Sequence, residues 1–190
     1  MTTVIVPFRS GGKSRLPSAI RVEAALAMLG DVLETAARGN RARLVTDDAA
    51  AAALAATLGV EVADDPGRGQ GAAVEAALAG LDGVCLVVNA DLPCVTPEAL
   101  ARLSAAAPAY VAATDGTTNA LALPDAGWFT PVYGPGSADR FAAAGLERVA
   151  IPELEHDVDT VSDLEDMPLP AGRRTKLVLN QHKARAVERA

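Results

Sequence analysis

One stretch constrains the fold of this 190-residue chain more than any other: Val84-Cys85-Leu86-Val87-Val88, an apolar run that stops at Asn89-Ala90-Asp91-Leu92-Pro93. A continuous Val/Leu run reads as a strand buried on both faces of a parallel sheet. The polar residues after it then stand at the carboxyl end of that strand, where open α/β sheets hold their ligands. Pro93 has no N–H to donate and stops the ladder. Asp91 is thereby a carboxylate at a strand tip beside a crevice, a position suited to Mg2+, which takes oxygen ligands. The alternative is that Asp91 only caps the next helix, which Thr96-Pro97-Glu98 also opens. From this stretch alone the two readings stand level.

The chain before this run alternates strands and helices. Val4-Ile5-Val6-Pro7 is a strand, the apolar spacing of residues 24–37 predicts a helix, Arg43-Leu44-Val45-Thr46 is a second strand, and the alanine-rich residues 49–58 form a helix closed by Gly59. Val60-Glu61-Val62 is a third strand, and a Pro/Gly loop, residues 64–71, leads into a helix over 72–81. This order implies a parallel sheet with right-handed crossovers. After a helix over 97–106 the pattern changes. Two strands, 109–113 and 120–123, are separated only by the polar turn Asp115-Gly116-Thr117-Thr118-Asn119, which suits a hairpin or adjacent edge strands better than a crossover. Ser137 is the expected N-cap of a helix over 138–144, and Val149-Ala150-Ile151 reads as a last strand. The expected fold is therefore α/β, three-layered and Rossmann-like, with a mostly parallel central sheet and a small mixed subregion after residue 107.

Two loops have the chemistry to hold anions. Phe8-Arg9-Ser10-Gly11-Gly12-Lys13-Ser14-Arg15 combines paired glycines with three cations, which suits a polyphosphate, although the Walker A spacing is absent. The glycines up to Gly71 feed a helix N-terminus, where an anion or a nucleotide edge is favoured. Each also has an ordinary reading, as a basic surface turn and a plain strand-to-helix connection. Late in the chain, Asp157-Val158-Asp159-Thr160-Val161-Ser162-Asp163 carries two readings as well: helix capping by Thr160 or Asp159, or Asp159 as a second metal carboxylate. Capping is the safer one from sequence.

Composition excludes several classes. No apolar run is long enough to span a bilayer, and the start enters a strand with no secretory pattern. Cys85 and Cys94 form neither a close metal-ligand pair nor a disulfide framework, so a cytoplasmic location is expected. The net charge of −7 disfavours nucleic acid as a partner, and nothing points to a membrane surface. The charge is uneven, since residues 171–190 hold six of the 17 basic residues against the single acid Glu188. That end could contact an anionic partner, pack on an acidic face or be an ordinary solvated tail, the last being the expectation, behind one domain of residues 1–170.

Together the segments VIVPFRSGGKSRL, NADLP, GTTNALALP, YGPGSADRFAAAG and DVDTVSDL resemble the 2-phospho-L-lactate guanylyltransferase family of coenzyme F-420 biosynthesis. That family includes members acting on phosphoenolpyruvate, and it lies within the nucleotidyltransferases that resemble molybdenum-cofactor guanylyltransferase. The resemblance implies transfer of GMP from GTP to the phosphate of a small phospho-carboxylic acid, with release of pyrophosphate. It implies Lys13, Asp91 and Asp159 as catalytic residues, with Asp91 and Asp159 holding Mg2+. It implies Pro7, Arg9, Gly12, Lys13, Arg15 and Gly71 at the GTP, and Thr118, Gly134 and Ser137 at the phospho-acid. The alternatives are another nucleotidyltransferase of this fold, with a molybdenum-cofactor or sugar-phosphate acceptor, or a nucleotide-binding domain without catalysis. The oligomeric state is open, a homodimer being one option.

Overall fold

The structure is a computed structural model that describes residues 1–9 and 18–187. Among these, seven strands form one sheet in the order β3-β2-β1-β4-β6-β5-β7. The strands are β1 (Thr3–Pro7), β2 (Arg41–Val45), β3 (Glu61–Ala63), β4 (Cys85–Val88), β5 (Ala109–Ala112), β6 (Thr118–Leu123) and β7 (Glu147–Arg148). β4 is the predicted central strand, and all four of its residues are buried. It runs parallel to β1 on one side and antiparallel to β6 on the other. β6 alone is reversed, since β5 and β7 pair in parallel. The expected hairpin is β5–β6, closed by the Ala113 N–H donating to the Thr117 carbonyl at 2.9 Å.

Alternation along the strands divides the core between the two faces. Val4, Val6, Leu44, Leu86 and Val88 pack on one side, under the helices α1 (Ser18–Ala36), α2 (Ala49–Thr57) and α4 (Pro97–Ala105). Ile5, Val45, Cys85 and Val87 face the other way, toward α3 (Gln70–Leu78) and α5 (Ser137–Ala143). Both faces of the central strands β1 and β4 are thus covered, which is why their sequences are almost continuously apolar, whereas the outer β2 and β3 carry Arg41, Arg43 and Glu61. Burial also pushes the Cys85 and Cys94 thiols upward in pKa, so neither is an activated nucleophile.

Three sequence expectations shift. The last strand is Glu147–Arg148 rather than 149–151. A strand is defined by its backbone pairing, and here the Glu147 N–H donates to Pro108 O and the Val149 N–H to Tyr110 O. The N-cap of α5 is Gly136, at φ +70°, and Ser137 is the first helical residue. The basic end is not a solvated tail through residue 187. It forms α8 (Arg173–Val187), which lies along α1. Asp31 of α1 accepts the first backbone N–H groups of α8, from Arg174 at 3.0 Å and Thr175 at 2.9 Å, satisfying orphan donors at the helix start. Between α5 and α8 come two short helices, α6 (Pro152–Glu155) and α7 (Val161–Glu165). No described helix is long and apolar enough to cross a membrane.

Candidate active site

β1 and β4 are neighbours in register, with Ile5 opposite Val87. The residues that follow them, Phe8-Arg9 and Asn89-Ala90-Asp91, therefore leave the carboxyl edge of the sheet side by side. With Pro7, Ala25, Met28, Asp65, Gln70, Ala73 and Asp159, they line one cavity. This is where the strand-tip argument put Asp91. The cap of α4 is Thr96, whose hydroxyl accepts the Ala99 N–H at 3.1 Å, so the capping alternative for Asp91 falls away.

The second acidic segment arrives from far along the chain. The Val158 N–H donates to the Asp91 carbonyl at 3.1 Å. The Val158 side chain is buried with Ala24, Met28 and Leu164, while Asp159, beside it, lines the cavity. One carboxylate oxygen each from Asp91, Asp157 and Asp159 lie within 4.8 Å of one another. Three half-buried carboxylates so close are an oxygen donor set of the kind hard divalent cations take. The capping reading of the same segment holds on other residues. Thr160 caps α7, accepting the Asp163 N–H, and Asp163 returns the bond to the Thr160 N–H at 2.7 Å.

Arg9 enters the cavity wall in a two-point ion pair with Asp65, Nε at 2.6 Å and Nη2 at 2.9 Å. The hydrogen bond from Arg9 holds the Asp65 carboxyl below the usual carboxylate range, and Asp65 in turn raises the Arg9 guanidinium. Asp65 also accepts the Gly67 N–H at 2.8 Å, which ties the 64–69 loop to the first strand's exit. Of the other residues predicted at the nucleotide, Pro7 lines the cavity. Gly12, Lys13 and Arg15 lie outside the described residues. Gly71 is not among the lining residues. A Cβ built on it would come within 2.9 Å of the Pro131 side chain, so close packing against Pro131 is itself a reason for a glycine there.

The predicted acceptor residues form a separate, buried group. Ser137 Oγ donates to Thr118 Oγ1 at 3.0 Å, and the two residues are 0% and 2% exposed. Gly134, at φ +110°, belongs to the turn before α5. Arg140 fixes that turn by donating to the carbonyls of Val132, Tyr133 and Pro135. None of Thr118, Gly134 and Ser137 is among the residues lining the cavity. They connect to it through Asn89, whose side-chain amide donates to the Thr118 carbonyl at 3.2 Å and accepts from Gln70 at 2.9 Å.

Asp157, Asp65, Gln70 and Asn89 were not singled out from sequence. For Asp157 a signal existed: it stands two residues before Asp159, with the apolar Val158 between, and alternate residues of an extended segment share a side. The Arg9–Asp65 pair leaves no local pattern, because its members are far apart in the chain.

A mostly parallel sheet whose β4 tip meets two further acids from the 157–159 segment beside an open cavity fits a nucleotidyltransferase, and the likeness to known proteins bears this out. A solved protein of Desulfovibrio desulfuricans G20 named for nucleotide-diphospho-sugar transfer shares the fold, with a TM-score of 0.70 over 96% of this chain and 95% of that one, at 18% identity. The family described as the MobA-like NTP transferase domain matches residues 18–156. Phosphoenolpyruvate guanylyltransferase of Nocardia farcinica is 39% identical, covering 88% of this chain and 84% of its own. The enzyme of the same name from Streptomyces scabiei is 36% identical, covering 91% and 93%. The chain belongs to the MobA-like NTP transferase family, in the branch of the phosphoenolpyruvate guanylyltransferases.

Proposed function

We propose that this nucleotidyltransferase moves GMP from GTP onto the phosphate of a small phospho-carboxylic acid, phosphoenolpyruvate or 2-phospho-L-lactate, on the route to coenzyme F-420. The observation that carries the reading is the meeting of Asp91, Asp157 and Asp159 in the cavity that Pro7 and Arg9 also line. In this reading a phosphate oxygen of the acceptor attacks the α-phosphorus of GTP, the bond from that phosphorus to the bridging oxygen breaks, and pyrophosphate leaves. A phosphomonoester has a second pKa of about 6, so it is already ionised near neutrality and no general base is needed.

The obstacle is the meeting of two polyanions. Mg2+ held by Asp91 and Asp159, with Asp157 beside them, would neutralise charge on the triphosphate. Arg9, held from one side by Asp65, presents its remaining N–H donors to phosphate from a fixed direction. Lys13 and Arg15, with Pro7, Gly12 and Gly71, complete the GTP side by family resemblance. Thr118, Gly134 and Ser137 serve the phospho-acid.

The test incubates GTP with phosphoenolpyruvate, 2-phospho-L-lactate and 3-phosphoglycerate in parallel, measuring pyrophosphate and identifying the guanylylated product by mass. One of the first two acceptors is expected to give a product. A protein that binds GTP yet releases no pyrophosphate with any of them would overturn the reading.

A further inference from the structure

Arg140 is an exposed residue of α5, and the proposed reaction assigns it no part. Its guanidinium gathers three carbonyls of the turn before that helix. Nε donates to Val132 O at 3.0 Å, Nη1 to Pro135 O at 2.8 Å and Nη2 to Tyr133 O at 3.2 Å. In a planar trans peptide the carbonyl and the N–H that follows it point in opposite directions. Three carbonyls drawn onto one cation therefore turn the N–H groups of Tyr133, Gly134 and Gly136 away from it. None of these three N–H groups donates to another described residue. Two of the peptide planes held in this way, Tyr133–Gly134 and Pro135–Gly136, end on glycines with positive φ, +110° and +70°. Glycine takes either sign of φ at little cost, so these planes can rotate and exchange an outward N–H for an outward carbonyl. Arg140 holds the oxygen of each.

We infer that Arg140 is a positioning residue for the phospho-acid: it locks the 132–136 turn so that N–H groups, and not carbonyls, meet the acid's anionic groups. The inference rests on the reading that places the acid at Gly134. A carbonyl oxygen carries partial negative charge, so a rotated plane would repel the anion where an N–H binds it. The geometry also accounts for an arginine. Its planar fork donates from Nε and from both Nη atoms, whereas a lysine offers all its donors from a single nitrogen and cannot span three carbonyls in the same way. The bond between Ser137 and Thr118 already anchors the far end of the turn. What Arg140 adds is the direction of the peptide planes, exerted through the turn and without contact to the acid.

The experiment compares the wild type with Arg140→Lys and Arg140→Met. It measures KM and kcat with phosphoenolpyruvate and with 2-phospho-L-lactate, binding of each acid by calorimetry, GTP binding in EDTA, and thermal melting. Both variants are expected to raise the acceptor KM and weaken acid binding by about 10–100-fold, as for the loss of a hydrogen bond to a charged group. The kcat at saturating acceptor should fall less than KM rises, and GTP affinity should stay near that of the wild type. Arg140→Lys keeps the charge and so separates the fork from the cation. A lysine variant with wild-type acceptor KM would overturn the inference, because charge alone would then suffice. An equal loss of GTP and acid affinity together with early melting would also overturn it, leaving Arg140 as a clamp that only holds the fold. Transfer by the wild type, with an unchanged acceptor KM in Arg140→Met, would sink the inference and leave the proposed reaction intact. Acid binding that both variants weaken, in a protein that forms no guanylylated product, would sustain the inference and sink the reaction. A wild type that neither binds nor guanylylates either acid ends both.

Discussion

The two sides of the site are built on opposite principles. On the side of β1 and β4, charged groups stand at strand tips and line an open cavity: Arg9 with Asp65, and Asp91 with Asp159. On the side of β6 and α5, the polar groups are uncharged, buried and bonded to one another, with Ser137 on Thr118 and Asn119 on the 154–157 turn. Parallel strands end where no partner strand continues, so their tips can present charge to a ligand and to water. The reversed β6 enters the site region at its first residues and runs back into the core, where an unpaired charge would be too costly. The lesson is a division of labour: one side supplies charge, and the other supplies fixed geometry.

The sharpest way to break this comparison is Asp91→Asn. If the β4 side works through charge, an isosteric amide should keep GTP binding in EDTA but lower Mg2+-dependent turnover on the order of 10²–10³-fold or more. Near-normal pyrophosphate release would end the distinction. Ser137→Ala probes the other side and should be gentler. It strips Thr118 of its donor, so KM for the phospho-acid is expected to rise several-fold with GTP affinity little changed, and stability to fall by about 1 kcal/mol. A fall in kcat at constant acceptor KM would show that this side does more than hold geometry.

The smallest effect is expected for Asp65→Asn. The Asp65 pKa is lowered in the folded protein, so its contribution to stability is present above the unfolded value of about 3.9 and is lost as pH falls through the folded value. Wild type should therefore melt a few degrees above the variant at pH 7, with the gap closing below about pH 4. A gap that persists into acid would mean that Asp65 acts by packing or by its bond to Gly67 rather than through Arg9.

The charged side was the more legible from sequence, for a physical reason. Val84–Val88 announces a buried strand, and an acid just past it must stand at the tip, so Asp91 followed directly. Asp159 was readable as an acid before a helix, but Asp157 was hidden because the whole segment also reads as a cap, and Thr160 with Asp163 does form one. The geometric side was less open. Asn119 donates to the carbonyls at 154 and 155, and no local pattern announces a bond across that separation. The resemblance pointed at Thr118 and Ser137 but could not show that they bond each other. The end of the chain misled for a related reason. It is the most basic part of the chain, and charge suggests solvent, yet Asp31 on a distant helix supplies the cap that docks α8. The last strand was misplaced because apolar Val149 and Ile151 attract the eye, whereas pairing with β5 falls on exposed Glu147 and Arg148.

The insertion of β6 between β4 and β5 also sets an order of events during synthesis. β4 leaves the ribosome long before the strand that covers its second edge, and β5, which emerges between them, cannot pair with β4 in its place without displacing the final arrangement. Until residues 118–123 are made, the most apolar strand of the protein carries a bare row of amides and carbonyls, a template for a neighbouring chain. A polypeptide ending between α4 and β6 would lack the strand that covers this edge, and the acidic trio, which needs residues 157 and 159, assembles only after β6 has been made.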